Sequence, residues 1–113
     1  MSLLNYFRTP IGLKEYDPGE FKMKIDEGNH RVIDVRTKSE YRRDHISEAE
    51  LIPLRNLRRI AHEMDRSRSY LLVCATGHRS RAAASIMLKN GFKGVGHLKG
   101  GMMAWHTYQK QKH

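Results

Sequence analysis

The chain has 113 residues, enough for one domain around a single hydrophobic core and too few for two. Its one cysteine excludes an internal disulfide and any intramolecular dithiol mechanism, so sulfur chemistry begun here must finish on another molecule. The net charge of +9 is lopsided: residues 1–65 hold 12 basic and 12 acidic side chains, whereas residues 66–113 hold 9 basic and none acidic. Such a field draws anionic partners in a salt-dependent way, or serves as a solvated face; the lysines are scattered rather than interleaved with aromatic rings, so nucleic acid is not an expected partner.

In chain order, residues 1–12 are expected to form an N-terminal arm, packed through Leu3, Leu4, Tyr6 and Phe7, ahead of a folded domain over residues 13–113. Asp17-Pro18 opens a helix, with Asp17 capping and Pro18 at the first helical position, and Gly28 ends it. Arg31–Val35 reads as a short buried strand. Thr37-Lys38-Ser39-Glu40 is a capping box and implies a short helix through Arg43. Glu50-Leu51-Ile52 is a further short strand, closed by Pro53. Leu54, Leu57, Ile60, Ala61 and Met64 recur every three or four residues on one helical face, and Arg55, Arg58 and Arg59 occupy the wet side. Ser69 to Cys74 is the clearest strand; a helix follows it to Asn90-Gly91, then a strand over Val95–Leu98 and a last helix from Gly100-Gly101. Strands alternating with helices predict an α/β fold with a mainly parallel sheet and helices on both faces. No segment approaches the roughly 18 consecutive apolar residues of a membrane span. The first residues lack the regions of a secretory signal, so a cytoplasmic location and no membrane partner are expected.

Chemistry concentrates at Cys74, where the apolar run Tyr70-Leu71-Leu72-Val73 stops and Ala75-Thr76-Gly77-His78-Arg79-Ser80 leads into a helix. Ligands of open α/β sheets bind beyond the carboxyl ends of strands, and loop amides at a helix N-terminus converge on negative charge. A thiolate fits that setting, with Arg79 as a nearby cation. The plainer reading is a buried, inert cysteine, but a core position requires neither the glycine nor the arginine that follow.

These residues resemble the rhodanese-like sulfurtransferases in their single-domain form. The landmarks are Val32-Ile33-Asp34-Val35-Arg36 with Glu40-Tyr41, His45-Ile46 with Ala49, and Ile52-Pro53-Leu54, followed by Cys74 to Ser80, Gly91-Phe92, Leu98 to Met102 and Ala104-Trp105. The match runs from about residue 13 to residue 107. The resemblance implies a five-stranded parallel sheet and a cysteine that carries a persulfide between two half-reactions. Cys74 to Arg79 spans six residues, the length the family uses for sulfur transfer; phosphatases related in fold use one residue more.

The expected enzyme is thus a thiosulfate sulfurtransferase, moving sulfane sulfur from a small anionic donor to cyanide or a thiol, including a thiol on an acceptor protein. Cys74 is the catalytic residue and Ala75, Thr76, Gly77, His78, Arg79 and Ser80 form the substrate-binding loop, with Asp34 and Arg36 supporting it. Arg79 either binds the anionic end of the donor or turns inward onto Asp34, and the resemblance favours the second. His78 is a donor contact or an exposed loop side chain, and Thr76 bonds loop backbone or substrate oxygens. His45 is expected to be structural. His97 and His106 share no metal-like spacing with a second ligand, so neither a metal nor another cofactor is expected. Two departures stand out: Ala75 occupies a position often basic or polar in thiosulfate-using members, and Glu48 replaces a usual glycine in a surface turn. The alternative functions are a non-catalytic or sulfur-relay interaction module, and a redox sensor oxidised at Cys74.

Overall fold

The computed structural model describes residues 9–112, so most of the expected N-terminal arm, including Leu3, Leu4, Tyr6 and Phe7, lies outside the described residues. Five parallel strands form one sheet: β1 (Lys14–Tyr16), β2 (His30–Asp34), β3 (Ala49–Leu51), β4 (Ser69–Val73) and β5 (Gly94–Leu98), in the order β1-β5-β4-β2-β3. The helices are α1 (Pro18–Asp26), α2 (Lys38–Arg43), α3 (Leu54–Ile60), α4 (His78–Lys89) and α5 (Gly101–Gln111). This is the α/β architecture expected from the alternating pattern.

Local chemistry explains the element boundaries. Asp17 accepts from the Glu20 amide while Glu20 reaches back to the Asp17 amide, and Thr37 and Glu40 make the same reciprocal pair at the start of α2. Gly28, after α1, and Gly91, after α4, have φ of +77° and +88°, the left-handed conformation that stops a helix. The helix expected to run through Met64 instead stops at Ile60 and tightens into a 3-10 turn over Ala61–Glu63.

The inner strands β2, β4 and β5 are buried on both faces over most of their length, and alternation sorts their side chains between two layers. Ile33, Tyr70, Leu72, Cys74 and Val95 face one side with Leu57 of α3 and Ala83, Ala84 and Met87 of α4. Val32, Leu71, Val73 and Leu98 face the other with Phe21 of α1 and Met102 and Trp105 of α5. Phe21 and Trp105 meet edge to face at 6.3 Å between ring centres, joining α1 to α5. Arg55, Arg58 and Arg59 are exposed, as a wet helix face requires.

Candidate active site

Cys74 follows the last residue of β4 at the centre of the sheet, and the chain turns over it into α4. Gly77 makes that turn possible: it is the N-cap of α4 with φ of +102°, and its N–H points at Cys74 Sγ from 2.9 Å. Ser80 Oγ lies 3.4 Å from the same sulfur. The thiol is 0% exposed and packs with the α3–α4 core layer, so the loop is closed over it in this structure.

A second helix clamps the loop from behind. The first turn of α5 donates the Met102 N–H to the Cys74 carbonyl at 2.8 Å and the Met103 N–H to the Ala75 carbonyl at 3.1 Å. This satisfies two of the N–H groups a helix start leaves unpaired and fixes the peptide planes of the loop. The clamp needs Gly101, which has φ of +61°; a Cβ there would collide with the Cys74 carbonyl and with the Ala75 backbone. The glycine pair before α5 is therefore part of the active-loop geometry and more than a turn.

Asp34, paired with Val73 of β4 in the sheet register, forms an internal unit with Arg36. The Arg36 Nε and Nη2 donate to the buried Asp34 carboxylate at 3.0 and 2.8 Å, the Arg36 amide adds a third bond at 3.0 Å, and Nη2 also reaches the Asp44 carbonyl at 2.7 Å. The expected pairing of Arg79 with Asp34 is corrected: Arg79 forks onto Glu40 instead, while Asp34 is engaged by Arg36. The capping role of Glu40 already fixes its carboxylate at the start of α2, where Arg79 reaches it. The Arg79 guanidinium, with bonds from Thr37, holds the Glu40 carboxyl down to about 2.

The remaining loop residues are on the rim. Thr76 is exposed with its hydroxyl 3.4 Å from His78 Nδ1, and Ala75, His78 and Arg79 are half-buried. His45 is exposed, stacks on Tyr41 with ring centres 3.7 Å apart and bonds the Tyr41 carbonyl, which makes it a fold element as expected. Glu48 is exposed beside Ser47 on a surface turn.

Sequence reasoning missed a buried polar chain behind the thiol. His97 of β5 is fully buried, with Nδ1 2.7 Å from Ser80 Oγ and Nε2 2.9 Å from Glu15 Oε2. Glu15 lies opposite His97 in the β1–β5 register, and Arg81 Nη2 reaches the same carboxylate oxygen at 3.4 Å. Burial pushes the imidazole below its ordinary value against the pull of Glu15, and the hydrogen bond from His97 lowers Glu15 in turn. The signal available in the sequence was a histidine inside an otherwise apolar strand. Among the described residues, no group of three or more His, Cys, Asp or Glu is placed to hold a metal ion.

Residues 17–108 match the model of the rhodanese-like domain. The chain is 36% identical over 86 residues to the putative sulfur carrier protein YrkF of Bacillus subtilis, covering 75% of this chain and 46% of that protein. It thus spans just under half the length of YrkF. It is 31% identical over 101 residues to the putative sulfurtransferase YtwF of the same organism, covering 88% of this chain and 97% of that one. The structure superposes with a TM-score of 0.73 on a rhodanese-like domain protein from Staphylococcus aureus, at 32% identity over 81% of this chain and 90% of the other. A buried cysteine under a glycine-turned loop, the parallel sheet that presents it and these likenesses converge on one assignment: the chain belongs to the rhodanese-like domain family.

Proposed function

We propose that this protein is a sulfurtransferase that carries sulfane sulfur as a persulfide on Cys74. The observation that carries the reading is the Gly77 N–H aimed at Cys74 Sγ from 2.9 Å, in a loop whose carbonyls at Cys74 and Ala75 are tied away into α5. An amide turned toward sulfur and carbonyls turned from it favour an anion there, the sulfur counterpart of one oxyanion-hole donor. The thiolate attacks the outer sulfur of a small anionic donor such as thiosulfate; the S–S bond of the donor breaks, sulfite departs with that bond's electron pair, and a persulfide anion stays on Cys74. A thiolate or cyanide then takes the outer sulfur and returns Cys74 as thiolate. Because the thiol is fully buried, each half-reaction requires local opening of the loop. Ala75, Thr76 and His78 form the rim that meets the donor, and Asp34 with Arg36 anchors the floor.

The basic half of the chain favours anionic donors on arrival. A lone cysteine that must stay reduced suits the cytoplasm; no helix among the described residues is long and apolar enough to cross a membrane. Intact mass after incubation with thiosulfate or mercaptopyruvate tests the reading: gain of one sulfur atom, removed by cyanide or a thiol, is the expected result. A folded protein that gains no mass from either donor would overturn it. The complete burial of Cys74 and the likeness to a putative sulfur carrier favour a second reading, a relay module that accepts sulfur only from a protein partner. That module would stay unloaded with small donors and load from a persulfidated protein.

A further inference from the structure

The geometry points to a buried proton path from the Cys74 thiol through Ser80 to His97, with Glu15 as the anion that steadies the protonated imidazole. The inference rests on Cys74 as the reacting nucleophile, but on no particular donor. Sulfur, hydroxyl, imidazole and carboxylate follow one another at 3.4, 2.7 and 2.9 Å. All three partners of the thiol's proton are fixed by regular structure: Ser80 in the first turn of α4, His97 in β5 and Glu15 in β1 at the register position facing His97.

The hydrogen count gives the path a direction. With Glu15 as carboxylate, Nε2 of neutral His97 carries the hydrogen and donates it to Oε2, leaving Nδ1 as an acceptor. Ser80 then gives its one hydroxyl hydrogen to Nδ1, and its lone pairs face Cys74. When the thiol ionises, the S–H bond breaks with its electron pair left on sulfur. Ser80 Oγ takes that proton and passes its own to Nδ1, so no proton leaves the site. The hydroxyl now points at the thiolate and the imidazolium lies between Ser80 and Glu15. The Gly77 carbonyl, 3.0 Å from Ser80 Oγ, is a competing acceptor for the Ser80 hydrogen, and Nδ1 at 2.7 Å is the nearer of the two.

Charge decides when His97 accepts. Its burial disfavours a proton from solvent, and Arg81 and Lys99 add to that opposition, while Glu15 alone pulls the other way. A proton arriving from Cys74 is different, because its departure creates a compensating anion two hydrogen bonds away in the same low-dielectric layer. His97 and Glu15 are thus positioning residues that give the proton of the thiol a place inside the site.

Side-chain nitrogen NMR of the full chain, read before and after alkylation of Cys74 by iodoacetamide, tests this without any sulfur transfer. At a pH where the free thiol is ionised, His97 should show both nitrogens protonated; the alkylated protein, which has no thiolate, should show neutral His97 with hydrogen on Nε2. The pH profile of alkylation supplies the second readout. Ser80→Ala and His97→Gln should slow alkylation several-fold near neutrality and converge with the parent at high pH, and Ser80→Thr should restore the parent profile. Convergence separates the effect from altered loop opening, which would scale the rate at every pH. A His97 spectrum unchanged by alkylation, or a His97→Gln profile superimposed on the parent, would overturn the proton path. Either result leaves persulfide chemistry at Cys74 standing, since sulfur loading is measured separately.

Discussion

Arg79 grips Glu40 across 39 positions of sequence, with Nη1 2.6 Å from Oε1 and Nη2 2.8 Å from Oε2. This bidentate fork ties the start of α4, and hence the loop over Cys74, to the N-terminus of α2. It also neutralises the cation closest in sequence to the thiol. Arg79 therefore acts on the loop chiefly through Glu40, and its availability to an anionic donor depends on that carboxylate.

Glu40→Gln should lower unfolding free energy by about 1–3 kcal/mol at neutral pH, because it removes the ion pair and weakens the cap of α2. The sign of the pH dependence follows from the direction of the shift. A carboxyl held at about 2 when folded, against about 4.3 unfolded, contributes fully above the unfolded value and loses its contribution as pH falls through the folded one. Urea unfolding of both proteins across acid pH should show the difference shrinking toward zero. A constant difference down to the acid limit would mean that the charge of Glu40 contributes nothing.

Cys74→Ser should abolish sulfur loading and leave the fold intact. The hydroxyl replaces the thiol within reach of the Gly77 amide and Ser80, so its polar atom is not orphaned, but it is not ionised at neutral pH and cannot hold a persulfide. Intact mass with thiosulfate, read alongside far-UV circular dichroism, checks both halves. Near-normal turnover by the folded variant would end the covalent mechanism.

Gly101→Ala should damage the active loop more than its size suggests. The left-handed φ of +61° costs a substituted residue about 1–2 kcal/mol, and the new methyl would push directly on the Cys74 carbonyl. Gly28→Ala is the matched control, since Gly28 has φ of +77° but nothing within 4 Å of the added carbon. Thermal unfolding should show both variants weakened, with sulfur loading lost only in Gly101→Ala. Equal activity in the two would separate the glycine pair from the chemistry of the loop.

The contrast between what could be read early and what could not has a physical basis. Caps act over three residues, so Asp17–Glu20 and Thr37–Glu40 were visible in the chain itself, and the β4–loop–α4 unit is contiguous from Ser69 to Lys89. Strand β1 was not visible because Lys14-Glu15-Tyr16 is three residues long and lacks apolar alternation; its pairing with β5 defines it. Glu40 already had a local explanation as a capping residue, which hid its long-range role toward Arg79. The Glu15–His97–Ser80 chain depends on strand register and on the seating of α4, quantities that exist only after the sheet forms.

Donor preference is the property most open to adjustment at a single position. Ala75 is half-buried at the mouth of the loop; its carbonyl is committed to the Met103 amide, leaving its side chain as the variable feature. A methyl group offers no attraction to dianionic thiosulfate, whereas the Gly77 amide acts at the sulfur of Cys74. Thiosulfate should accordingly saturate the protein only at high concentration. Ala75→Lys or Ala75→Arg should lower KM several-fold and change kcat less, the pattern of an interaction made equally in ground and transition states. A charge-assisted contact in a partly desolvated loop is worth roughly 1 kcal/mol or more, which sets that several-fold scale. Steady-state rates with thiosulfate and cyanide, repeated at raised salt, provide the measurement, because a gain of electrostatic origin must fade as ionic strength rises. An unchanged KM in both variants, or saturation of the parent at micromolar thiosulfate, would show that residue 75 does not face the donor.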